Sequence, residues 1–210
     1  MKTKDFIDFI ATGAGPAPVF NVTKKLRNAM LTGLAASLGI GLLVHGIVVN
    51  PAALVSRWFK LAYALAVLTA GWILLKQLAR PLSRVSKPLW GLVLAVLVMT
   101  GCGFSELISA PADQYDELLL GKTWIFCPLL ILLISLPALA AALWTMRTLA
   151  PTRLRLAGFS AGIFAGAQGA LGYFLICPED SSLFVAVWYT LGMALSGLLG
   201  LLLGPRVLRW

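Results

Sequence analysis

Three cysteines are the residues of this chain whose chemistry points most directly to a function. Cys102, Cys127 and Cys177 are far apart in the sequence, and the last two are each followed by proline. One chemistry open to them is a disulfide between Cys127 and Cys177, with Cys102 left buried and unpaired. Another is a site for a soft metal ion such as zinc, cadmium or copper(I), completed by His45 or by an acid such as Glu179. The third interpretation is three unrelated packing residues.

Long apolar stretches separate these cysteines. Of the 210 residues, 60% are hydrophobic and only 12% are charged, whereas a soluble domain is about half apolar and about a quarter charged. This composition excludes a disordered chain, a disulfide-rich secreted scaffold and a cytosolic enzyme. Six stretches are long enough to cross a bilayer as helices: 29–49, 60–75, 88–104, 124–144, 154–176 and 183–203. The sequence therefore predicts an all-α polytopic membrane protein, with a six-helix bundle over 29–210 and a cytoplasmic N-terminal segment over 1–28.

The distribution of charge between the loops gives an orientation. Most of the 17 lysines and arginines fall in the N-terminal segment, the loops 76–87 and 147–155, and the C-terminal tail. The opposite loops hold most of the eight acids and only Arg57, Lys60 and Lys122. Because Lys and Arg accumulate on the cytoplasmic side, both termini are predicted to be cytoplasmic. The net charge of +9 is then a topology signal and not a nucleic-acid-binding surface.

With this orientation the three cysteines fall near the outer membrane boundary. Cys127 opens the fourth stretch and Cys177 closes the fifth, so both thiols are expected at helix ends where they meet water. His45 reaches the same level from the first stretch, and Glu179 lies in the adjacent loop. The outer face is therefore the predicted position of any sensor or metal chemistry.

Small residues recur every four positions in the last two stretches. This spacing lets helix backbones approach closely in a membrane. A short link joins the two stretches, so the pattern favours a tight hairpin within one chain, with a homodimer as the alternative. The residues are Gly158, Gly162, Gly166 and Ala170, facing Gly192, Ser196, Gly200 and Gly204.

Polar residues are scarce in the middle of the predicted spans. Away from the span ends only His45 and Gln168 stand out, and no charged residue is predicted at mid-membrane. Transport paths normally need such groups, so a permease for metals or small solutes is the weaker alternative. A thiol oxidoreductase is disfavoured because no vicinal cysteine pair is present. No catalytic constellation is recognisable, and we expect no enzyme activity.

The chain resembles the NrsF family of bacterial inner-membrane proteins over essentially its whole length. The residues that carry the resemblance cluster in the second half and around the Cys-Pro motifs. They are Trp124 with Cys127, Leu149-Ala-Pro-Thr-Arg-Leu-Arg-Leu-Ala-Gly158, Cys177-Pro-Glu179, Trp188-Tyr189 and the terminal Leu-Arg-Trp210, with Trp58-Phe-Lys60, Ala79-Arg-Pro81 and Cys102-Gly-Phe-Ser-Glu106 in the first half. One departure is Ile176, where members of the family often have histidine.

The resemblance implies an anti-sigma factor of the bacterial inner membrane. Such a protein holds an extracytoplasmic-function sigma factor at the membrane and releases it when its cysteines sense metal or oxidative stress. Because this chain has no room for a globular cytoplasmic domain, we expect short segments to make the contact. The expected residues are Phe6, Ile7, Phe9 and Ile10 of a short amphipathic helix, followed by a linker over 13–18, and Arg80, Arg84, Arg153 and Arg155 of the two basic loops. A helix lying in the membrane interface is the alternative for the N-terminal segment.

Overall fold

The computed structural model describes residues 3–13, 21–45, 58–80 and 85–209, and within these ranges every regular element is helical. The all-α prediction is confirmed for this part of the chain. The helices are α1 (Thr3–Gly13), α2 (Val22–His45), α3 (Trp58–Leu78), α4 (Ser86–Ser109), α5 (Tyr115–Leu120), α6 (Phe126–Arg147), α7 (Leu154–Phe174) and α8 (Ser182–Val207). A 3-10 turn over Ala112–Gln114 precedes α5, and α8 contains a π-helical turn over Val185–Tyr189.

Helix α7 is the centre of the bundle. It packs against α2, α3, α6 and α8, and every residue from Ser160 to Phe174 is buried. Its sequence explains this position, because Gly and Ala at close intervals leave room for neighbouring backbones on several sides. The helices around α7 therefore expose their larger apolar residues outward.

The contact between α7 and α8 uses the small residues that the sequence pattern singles out. A Cβ atom added at Gly158 would lie 2.1 Å from the carbonyl oxygen of Gly200, and one added at Gly162 would lie 2.2 Å from that of Ser196. The two backbones are thus in direct contact, as the predicted hairpin requires. Because these glycines are used within the chain, they are not free to form a homodimer.

Five of the described helices are long and apolar enough to cross a membrane, judged by length and composition alone. They are α2, α3, α4, α6 and α8. Helix α7 has 21 residues, which is long enough, but it is not among the five; its many glycines and the buried Gln168 make it less apolar. The prediction of a membrane helical bundle is therefore supported, whereas the count of six spans and the orientation of the termini remain predictions.

Several predicted boundaries differ from the helices. Helix α2 begins at Val22, seven residues before the predicted start at 29, because Lys24, Lys25 and Arg27 continue the helix as a basic extension that hydropathy does not register. Helix α4 ends at Ser109 and not at 104. Of the predicted N-terminal linker over 13–18, only Gly13 is among the described residues, as the last residue of α1.

Helix α4 lies on the outside of the bundle. Its buried residues are only Pro88, Met99 and Gly103, and Trp90, Leu94 and Leu97 are among the apolar side chains that it exposes. Cys102 is on this helix and is exposed, so the expectation that it is buried is wrong. The reason is that α4 contacts mainly α3 and the first residues of α8, which leaves most of its surface exposed.

Candidate functional site

Cys127 and Cys177 are brought together at the end of the bundle where α7 finishes and α6 begins. Cys127 lies in the first turn of α6, where its backbone N–H donates to the carbonyl oxygen of Thr123 at 2.9 Å. The N–H of Cys177 donates to the carbonyl oxygen of Tyr173 at 2.9 Å and so completes the last turn of α7. The prolines that follow suit these places, because proline is accepted in the first turn of a helix and also disfavours helical backbone before it.

Both thiols are fully buried, which corrects the expectation that they meet water. Cys127 and Cys177 each have 0% exposure and interact electrostatically with one another. The Tyr173 hydroxyl donates a hydrogen bond to Cys127. The Tyr189 hydroxyl interacts with Cys177, although it meets the usual hydrogen-bond geometry with no described atom. The aromatic rings of these two tyrosines, 5.7 Å apart, therefore cover the cysteines.

The cluster also holds a lysine. Lys60, in the first turn of α3, is fully buried with 0% exposure. Its ammonium group donates to the backbone carbonyl of Glu179 and to the Cys177 sulfur, with Nζ 3.7 Å from Sγ. A buried ionisable side chain in a membrane helix is costly and is by default a mark of function. A positive charge thus stands beside a cysteine sulfur, an atom that binds soft metal ions and reacts with oxidants.

The acids near the cysteines hold the helix ends in place. One carboxylate oxygen of Glu179 accepts from the backbone N–H of Lys122 at 2.8 Å and from the Thr123 hydroxyl at 3.2 Å. The carboxylate of Glu106 accepts from the N–H of Ser182 at 2.6 Å and so caps the start of α8. These carboxylates are thus already engaged, and each joins two segments of the chain next to the thiols.

The predicted metal ligands do not form one cluster. Within the described ranges, no group of three or more His, Cys, Asp and Glu side chains could hold a metal ion. Cys102 is exposed on α4, whereas the other two are buried, and all three cysteines are free thiols. His45 is the last residue of α2, but its side chain is outside what the structure describes. The donor set that the structure brings together is therefore the two thiols of Cys127 and Cys177.

Of the predicted contact residues, those of the basic loops lie at the far ends of the helices that carry this cluster. Phe6, Ile7, Phe9 and Ile10 of α1 are all at least half exposed. Arg153 and Arg155 flank the start of α7 and are exposed, as is Arg80 after α3. Arg84 is outside the described residues. The cysteines and the start of α7 are thus at opposite ends of that helix.

Sequence reasoning missed Lys60, Tyr173 and Tyr189 as members of the site. Lys60 was assigned to an outer loop, because a lysine at the start of an apolar stretch usually reaches for water. Tyr189 stands within a π-helical turn, a geometry often found at functional sites that hydropathy does not predict. The signal that could have found Lys60 was its place at the same predicted level as the two Cys-Pro motifs.

Comparison with known proteins agrees with the resemblance in the sequence. Residues 10–210 match the family model described as NrsF, negative regulator of sigma F. A probable anti-sigma-F factor NrsF of Azospira oryzae is 37% identical, and the anti-sigma-F factor NrsF of Caulobacter vibrioides is 34% identical, each over 100% of both chains. No solved structure matches the chain. With a match over nearly all of its length, this chain belongs to the NrsF family.

Proposed function

We propose that this chain is an anti-sigma factor of the bacterial inner membrane that binds an extracytoplasmic-function sigma factor through cytoplasmic segments. In this proposal both termini are cytoplasmic, and the bound sigma factor is released when Cys127 and Cys177 react on the outer side. The relatives named as anti-sigma-F factors support the regulatory role. Helices long and apolar enough to cross a membrane, with basic loops at one end, support the location.

The observation that carries the sensor is the buried cluster of Cys127, Cys177 and Lys60. Cysteines that only pack need no cation beside them, whereas here a lysine with 0% exposure contacts the Cys177 sulfur. We assign Lys60 the role of holding a positive charge against the Cys177 sulfur, at the place where a soft metal ion or an oxidant would react. Two cysteine sulfurs without a third described ligand suit transient binding of a soft ion such as copper(I), cadmium or zinc, and oxidation to a disulfide is the other outcome.

The sigma-factor contact is assigned to α1 first. Its apolar side chains have little to cover them, with Phe9 74% and Ile7 58% exposed. An amphipathic helix of this kind fits an apolar groove of a partner protein. The basic residues at the same predicted end, Arg80, Arg84 and Arg153, would add charge complementarity and speed association.

The experiment is co-purification of sigma factors with the tagged full-length protein from membranes of the native bacterium. Mass spectrometry should find an extracytoplasmic-function sigma factor enriched with the wild type. Deletion of residues 1–20, or the variant Phe6→Ser/Phe9→Ser/Ile10→Ser, should lower its recovery several-fold. The matched control on the same helix, Thr3→Ala/Thr12→Ala, should recover as much as the wild type. No enriched sigma factor with the wild type would reject the proposed function, and undiminished recovery with the serine variant would reject α1 as the contact.

A further inference from the structure

A cavity with three arginines in its wall opens at the end of the bundle where α7 begins and α8 finishes. Its volume is about 520 Å³, and its wall is formed by Arg155, Leu201, Leu202, Pro205, Arg206 and Arg209. The three arginines are exposed, and the wall contains no carboxylate among the described residues. The positive charge facing the cavity is therefore not neutralised by an acid of its own wall.

The other half of the wall is apolar and continues along α8. Leu202 is 53% exposed, and Leu198, one helical turn earlier, is 51% exposed. These two side chains form a track that runs from the arginines toward the middle of the helix. Helix α8 is long and apolar enough to cross a membrane. In a membrane that α8 crosses, its Arg206 end would stand at headgroup level and the track would lie beside acyl chains.

A second groove joins the first at Pro205. It measures about 360 Å³ and is lined by Arg153, Leu154, Arg155, Leu156 and Pro205. Helix α7 begins at Leu154, so the partial positive charge of its N-terminus adds to the guanidinium groups. Arg155 belongs to both walls. The positive field thus extends over the whole junction between α7 and α8.

We propose that this cavity binds the headgroup of an anionic phospholipid. Guanidinium groups pair with phosphate oxygens through two parallel hydrogen bonds, which makes arginine well suited to a phosphodiester. Basic pockets between membrane helices bind such headgroups, and the apolar track accounts for one acyl chain. A protein partner bound at the arginines could not make use of an apolar track that lies beside lipid tails. The lipid site does not depend on the cysteine cluster, which lies at the other end of α7.

The test measures lipid binding to the full-length protein in nanodiscs. Phosphatidylglycerol is titrated into phosphatidylcholine, and the anionic lipid retained by the protein is counted by native mass spectrometry. Each charge near the surface contributes roughly fivefold in affinity, so Arg155→Gln/Arg206→Gln/Arg209→Gln should weaken retention on the order of a hundredfold. The variant Arg155→Lys/Arg206→Lys/Arg209→Lys keeps the positive charge and should retain most of the lipid binding. Its binding would also show that the protein still folds when these three positions are changed. Arg147→Gln, in the last turn of α6 and outside the cavity wall, is the matched control and should bind as the wild type.

Four results would overturn the proposal. One is retention by the triple glutamine variant equal to that of the wild type, and another is an equal loss with Arg147→Gln. A third is full competition by millimolar inorganic phosphate in detergent, which would indicate a site for a free anion. The fourth is a triple glutamine variant that loses the sigma factor but still binds the lipid, which would make these arginines part of a protein-binding surface.

Discussion

Lys60 is the residue whose surroundings depart furthest from those usual for its type. A lysine in a membrane helix normally extends toward water, yet this one is fully buried against the Cys177 sulfur and the Glu179 carbonyl. Burial of an ammonium group costs several kcal/mol unless its neighbours compensate for it. The compensation comes from the turn that follows α7, so the charge ties α3 to the segment that carries Cys177.

Replacement of Lys60 by methionine tests this role directly. Without the ammonium group the Cys177 sulfur loses the positive charge beside it, so we expect Lys60→Met to slow the alkylation of Cys177 several-fold. The rate is measured as the labelled fraction of the Cys177 peptide against time by mass spectrometry. Lys122→Met, which alters an exposed lysine of a neighbouring loop, is the control and should label as the wild type. An unchanged rate in Lys60→Met would show that the lysine only packs, while leaving the cysteine sensor itself open.

The sequence indicated the two site cysteines but not their environment. Proline after Cys127 and Cys177 fixed both thiols at helix ends, and the hydropathy pattern placed those ends at one boundary. Burial was not predictable, because the tyrosines that cover the thiols and the lysine beside them come from three different helices. The ligand role expected for Glu179 also depended on loop geometry, which attaches its carboxylate to Lys122 and Thr123.

Among the helix contacts, the one between α7 and α8 leaves the least room for larger side chains. At Gly158 a methyl group would meet the Gly200 carbonyl oxygen at 2.1 Å, and neither backbone can move without separating the helices. At Gly101, on the outer helix α4, a methyl group would meet nothing within 4 Å. The same substitution should therefore have opposite effects at the two positions.

We expect Gly158→Ala to destabilise the bundle by about 1–3 kcal/mol or more, as overpacking of a close contact does. Gly101→Ala should be neutral or stabilise by roughly 0.5–1 kcal/mol, because alanine is the better helix former. Both are measured as the folded fraction in increasing concentrations of denaturing detergent. Equal stability of Gly158→Ala and the wild type would contradict the direct backbone contact between α7 and α8.

The order of the helices could be predicted from the sequence, but the residues at which they begin and end could not. The apolar stretches located each long helix, and the small residues at every fourth position in 158–170 and 192–204 predicted the pairing of α7 with α8. The extension of α2 to Val22 and the π-helical turn in α8 depend on backbone hydrogen bonding, which hydropathy does not register. In the sequence, only the high glycine content of α7 indicates that this helix lies at the centre of the bundle.

At the scale of the whole molecule, the orientation can be measured apart from the function. Lys and Arg are concentrated in the N-terminal segment, the loops 76–87 and 147–155 and the C-terminal tail, so we predict that these face the cytoplasm. A reporter that is active only in the cytoplasm should be active when fused after residue 84 or residue 210. A reporter that is active only in the periplasm should be active when fused near Asp113. A periplasmic C-terminus would reverse the orientation and separate the cysteines from the outer side.

The arrangement of the helices offers two routes between the cysteines and the basic loops. Cys127 and Cys177 belong to α6 and the end of α7, whose other ends, Arg147 and Leu154, are joined by one short loop. Lys60 connects the same cluster to α3, which leads to Arg80. Because packed helices move as rigid bodies, we expect a change in spacing at the thiols to shift these loops. A ligand favours the releasing state only if it binds that state more tightly, which requires different thiol spacing in the two states.

The central claim is that reaction at the two buried cysteines releases the sigma factor. Its most direct test is the amount of sigma factor that co-purifies with the membrane protein before and after cells are exposed to cadmium or to a thiol oxidant. We predict loss of the partner from the wild type and from Cys102→Ser, because Cys102 is exposed on α4 and is not one of the two buried cysteines. Cys127→Ser/Cys177→Ser should bind as much sigma factor as the wild type and keep it after exposure. If the double serine variant releases its partner as the wild type does, the cysteine sensor is contradicted and the two residues only pack.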